Sequence, residues 1–182
     1  MKAWRVVLLT LSFLMLGGCL VTFSEPLPGK SSAPKGLVGS WTTKDAWGEP
    51  LKLVITRADA GAYKAVATPK GKSAQTYVFN VAQQGNRWYL SARVPGDLGG
   101  NYVIGGFDIV DGKELVVYNL DLQQVQQAVD SNELSGHSTE VAQDNGEGLL
   151  VDSPPARVLA YLNDPANSDL FVEAVRFKRA GQ

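Results

Sequence analysis

Leu51-Lys52-Leu53-Val54-Ile55-Thr56 puts Leu51, Leu53 and Ile55 on one side of an extended chain and Lys52 and Thr56 on the other. Successive side chains of a strand point to opposite faces, so this spacing buries one face of a strand, whereas a helix would scatter it. The same two-residue rhythm recurs outward from this segment. Asp59-Ala60-Gly61 turns the chain into Tyr63 to Thr68, and Pro69-Lys70-Gly71-Lys72 separates that run from Tyr77-Val78-Phe79-Asn80-Val81. Gln84-Gly85-Asn86 precedes Trp88-Tyr89-Leu90, and a loop from Pro95 to Asn101 leads to Tyr102 through Val110. Asp111-Gly112, residue types suited to the positive φ angles of a type I′ turn, precedes Glu114 through Tyr118. Consecutive hairpins of this kind predict an antiparallel meander, and one this long is expected to close, because closure removes unpaired edges.

Two helices are predicted late in the chain. Asp121 is placed to cap a helix over about 121–130 in which Leu122, Val125 and Val129 share a face, leaving the glutamines between them to water. Asp152-Ser153-Pro154 opens a second helix to about 163, with Ser153 as N-cap, Pro154 at the first helical position and Val158, Leu159 and Leu162 as its apolar stripe. A last strand runs from Leu170 to Arg179. Between the helices, Ser135 to Gly148 reads as a polar loop apart from Thr139-Glu140-Val141. The fold class is therefore mainly β, a meander closed into a barrel of about eight strands, with two short helices before the final strand.

The first residues carry a different signal. Lys2 and Arg5 precede an apolar run from Val6 to Leu16, the layout of an export signal and too short to cross a bilayer comfortably. Leu16-Gly17-Gly18-Cys19 resembles the bacterial lipobox. That resemblance implies a signal peptide over 1–18, a diacylglycerol thioether on Cys19 and an amide-linked acyl chain on its new amino terminus. With Leu20 rather than aspartate next, it further implies sorting to the outer membrane, facing the periplasm. Residues 19–36, with Ser24-Glu25-Pro26-Leu27-Pro28-Gly29-Lys30-Ser31-Ser32-Ala33-Pro34, read as a flexible tether, and 37–182 as one domain.

Composition excludes several chemistries. Without Lys2 and Arg5, 15 basic residues face 18 acidic ones, a formal charge of about −3 that offers no basic patch for nucleic acid. His137 is the sole histidine and Cys19 the sole cysteine, so no zinc site of the usual type is expected, and neither a disulfide nor a cofactor. Asp144-Asn145-Gly146-Glu147 lacks the spacing of a calcium loop. His137 beside Ser138 or Ser153 lacks the Gly-x-Ser-x-Gly elbow of a hydrolase, and Gly99-Gly100 and Gly105-Gly106 lack the strand-to-helix setting of a phosphate loop.

Gly39-Ser40-Trp41 resembles the Gly-x-Trp of lipocalins, which implies a barrel floor plugged by Trp41 and covered by a late arginine, here Arg176 or Arg179. Such stacking is worth about 0.5–2 kcal/mol. Phe171 to Arg179 is similar to the closing strand of lipocalin-like bacterial lipoproteins, which implies a fold and no particular activity. Trp41, Tyr77, Phe79, Trp88, Tyr102 and Phe107 are the candidate ligand-lining residues. The expected protein is a non-enzymatic envelope lipoprotein, held to the membrane through Cys19, that binds a small apolar or amphipathic ligand. The alternative is a solid barrel that docks an envelope protein partner.

Overall fold

The computed structural model describes residues 21–29, 32–45, 48–95, 99–141 and 146–181. The expected export signal over 1–18 and Cys19 lie outside the described residues. The alternating runs pair into hairpins: β2 (Gly39–Lys44), β3 (Pro50–Arg57), β4 (Tyr63–Pro69), β5 (Gln75–Gln84), β6 (Arg87–Arg93), β7 (Tyr102–Val110) and β8 (Glu114–Leu120). Each pairs antiparallel with the next, β8 pairs with β11 (Phe171–Arg179), and β11 returns to β2, closing a lipocalin-like barrel of eight antiparallel strands. Asp111 and Gly112 both take positive φ, 51° and 68°, and the Lys113 N–H donates to Val110 O at 2.9 Å. The β7–β8 turn thus has the conformation its residue types favour.

Which residues face inward follows from register. Ile55, Ala65 and Tyr77 stand in line across β3, β4 and β5, and Leu90, Val81 and Gly105 do so across β6 and its neighbours. In β11 a register shift between Glu173 and Val175 inserts one residue, Ala174. One extra residue exchanges the two faces of a strand. Phe171 therefore packs outside the barrel, while Val175 and Phe177 join its interior.

A second core lies outside the barrel wall. The β7 edge that pairs with β8 from Gly106 onward pairs instead, at its first residue Tyr102, with Phe23 of β1 (Val21–Phe23). β1 runs parallel to β10 (Gly146–Val151), which pairs with β9 (Gly136–Val141). This annex, together with α1 (Leu122–Asp130) and α2 (Pro155–Asn163), encloses Phe23, Leu27, Tyr89, Ile104, Leu149 and Leu162. Strand β7 is thus apolar on both faces, and β6 buries Tyr89 and Ser91 on its outer one.

Three expectations are corrected here. The tether reading of 19–36 fails from Val21 onward, because Phe23 and Leu27 are each only 2% exposed and the Leu27 N–H donates to Ser91 Oγ at 3.1 Å. Burying two such side chains stabilises by about 1.5–3 kcal/mol each, enough to fix a segment whose average composition is that of a linker. The 135–148 loop is largely the β9–β10 hairpin, whose partner strand β1 lies far away in the chain. Asp121 does cap α1, accepting from Gln124 N at 3.0 Å, but Ser153 does not cap α2. Its buried hydroxyl accepts from Ser135 N at 2.7 Å, tying the loop before β9 to the loop before the helix, which starts at Pro155 with Pro154 as N-cap.

Candidate ligand cavity of the barrel

The barrel interior is not filled. A cavity of about 160 Å³ runs along its axis, walled by Leu51, Leu53 and Ile55 of β3, Ala65 and Ala67 of β4, Tyr77 and Phe79 of β5, and Leu90 and Ala92 of β6. Phe107, Leu115, Val117, Val175 and Phe177 complete the wall. The space exists because inward positions of β4 and β6 carry alanine where their neighbours carry leucine or an aromatic ring. Such a wall offers a ligand dispersion and the hydrophobic effect and little else.

Polar groups gather at one end. Asp45 follows β2, Lys72 lies in the β4–β5 turn and Gln75 opens β5, and all three border the cavity. The Tyr77 hydroxyl donates to Gln75 Oε1, and burial pushes that hydroxyl above the ordinary tyrosine value, so it stays a donor at neutral pH.

The opposite end is closed. Trp41 is fully buried, and its Nε1–H donates to Leu37 O at 3.0 Å. The Arg179 guanidinium lies 4.2 Å from the tryptophan ring centroid, while its Nε donates to Gly112 O at 2.7 Å and its Nη2 to Gly36 O. Arg179 thus ties the Gly36 loop, the plug and the β7–β8 turn together. Gly39 makes room for it: at φ +144°, a Cβ there would sit 2.6 Å from Arg179 Nη1. Gly39→Ala is therefore expected to cost about 1–3 kcal/mol. Urea unfolding of the variant checks this, and unchanged stability would contradict it.

The structure sorts the remaining candidates. Tyr77, Phe79 and Phe107 stand on the cavity wall, and Trp41 belongs to the closed end of the same interior cluster. Trp88 packs against Phe107 with ring centroids 6.3 Å apart, within the interior cluster but off the cavity wall. Tyr102 is corrected: it packs with the outer core, because it has the parity of Ile104. Arg176 is also corrected. It shares a face with Val116 and Glu173 and binds Glu114 at 2.6 Å and Glu173 at 2.8 Å on the outer surface, which holds the Glu173 carboxyl below the ordinary range. The alanines that create the space were missed, although Tyr63-Lys64-Ala65-Val66-Ala67 places them in phase with Tyr63.

A second recess, of about 220 Å³, lies on the outside of β6 to β8. Arg87 stands 4.9 Å over the Phe171 ring there, and Gly106 is held free of a side chain, since a Cβ would meet that ring at 3.1 Å. Burial, and then Asp108, raises the Tyr118 hydroxyl above its usual value. His137 sits apart, exposed, with Nδ1 3.9 Å from Asp152. Among the described residues, no group of three or more His, Cys, Asp or Glu is placed to hold a metal ion, and no helix is long and apolar enough to cross a membrane.

Fold and cavity together define a class: a closed, lipocalin-like antiparallel barrel with an apolar interior, plugged at one end and bordered by polar groups at the other. Set against protein-family models, curated proteins and solved structures, the chain matches none.

Proposed function

We propose that this protein is an envelope lipoprotein, anchored through Cys19 in the outer membrane, that binds a small apolar or amphipathic ligand in its barrel without transforming it. The observation that carries this reading is the apolar cavity of about 160 Å³, with Lys72, Gln75 and Asp45 gathered at one end. A cavity of roughly 150 Å³ lined by Leu, Ile and Phe accepts benzene in another protein, so the ligand is a single ring or a short alkyl chain whose polar end meets those three residues. The anchor rests on Leu16-Gly17-Gly18-Cys19.

Each methylene taken from water contributes about 0.8 kcal/mol, so a chain of six to eight carbons gains roughly 5–6 kcal/mol, for a Kd on the order of 0.1 mM. Titration with toluene and with octanoate, followed through the methyl NMR signals of Leu53, Leu90 and Val117, measures it. Ala65→Trp fills the cavity and is expected to weaken binding at least about tenfold, with Ala67→Leu as the milder variant should the first perturb folding. Interior methyl signals that stay unmoved by either compound at millimolar concentration would sink the proposal.

A further inference from the structure

The segment after the anchor cysteine has no slack. β1 begins at Val21, so Leu20 alone separates Cys19 from the folded body. β1 is held on both edges, by the parallel ladder to β10 through Val21–Leu149, Thr22–Leu150 and Phe23–Val151, and by Tyr102 of β7. The Ser24 N–H adds a bond to Val151 O at 3.0 Å. Beyond it the chain stays fastened: Leu27 N–H to Ser91 Oγ at 3.1 Å, then Ala33 N–H to Tyr63 Oη at 2.8 Å, then Leu37 buried at the closed end of the barrel. Residues 21–29 and 32–37 are thus fastened along the barrel as a strap.

From this we infer that the folded body is held flush against the membrane surface by its first strand, its partner there being the lipid headgroups themselves. The inference rests on the acylation of Cys19 proposed above. Two residues extend at most about 7 Å, whereas a domain of this size has a radius of gyration near 15 Å. An attachment shorter than the radius of the body leaves no stand-off. A free tether of some 15 residues would instead average about 20 Å.

The test uses the full-length, processed protein on a supported bilayer of phosphatidylethanolamine and phosphatidylglycerol, examined by neutron reflectometry. Protein density is expected to start at the headgroups, and a 15-residue Gly/Ser insertion between Leu20 and Val21 is expected to open a hydrated layer of about 20 Å. Hydrogen exchange on the same sample should find the amides of Val21 to Ser24 protected. An acylated wild-type protein with the same water layer as the insertion variant, or with freely exchanging amides in β1, would overturn the flush arrangement and leave the anchor standing. A Cys19 shown by intact-mass measurement to carry no acyl chain would overturn both.

Discussion

Trp41→Ala is expected to destabilise the protein by about 3–5 kcal/mol, the range for removing a fully buried aromatic side chain. For a domain of this size that corresponds to a fall in Tm of roughly 6 to 20 °C. Three losses coincide at this position: the packed indole, the hydrogen bond to Leu37 O, and the surface on which Arg179 stacks. Trp41→Phe restores part of the packing without the N–H and should fall between. Calorimetry of the three proteins measures the series. A loss below about 1 kcal/mol for the alanine variant would show that the closed end is not plugged by this ring.

Phe23→Ala should cost about as much, roughly 3–5 kcal/mol, although the residue lies in a stretch that reads as linker. Its ring is buried in the outer core with residues of β10 and the two helices, so truncation empties part of that core and loosens β1. Urea denaturation of the protein is the measurement. Were 19–36 a tether, the substitution would act at an exposed site and stay within about 0.5 kcal/mol. The two readings are thus separated by several kcal/mol.

How much the sequence showed depended on the range of the pairing. The hairpins from β3 to β8 were legible because their partners are adjacent, the turn residues lie between them, and one face of β3 is plainly apolar. β1, β9 and β10 were not. Val21-Thr22-Phe23 is too short to display a period, and its ladder to β10 joins residues 128 positions apart. Tyr102 was misplaced for another reason: β7 is apolar on both faces, so alternation within it does not distinguish inside from outside. The choice between Arg176 and Arg179 was in fact readable, since Val175 and Phe177 are the apolar members of that strand and Arg179 continues their phase. At the cavity, attention to aromatic residues found Tyr77, Phe79 and Phe107 but passed over Ala65, Ala67 and Ala92, because empty space has no residue type of its own.

The most direct measurement is a crystal of the barrel domain pressurised with xenon, which enters apolar cavities of this size. The expected result is a xenon peak inside the barrel, bounded by Leu53, Leu90 and Val117. Side chains packed across that space, with no xenon between them, would contradict the account.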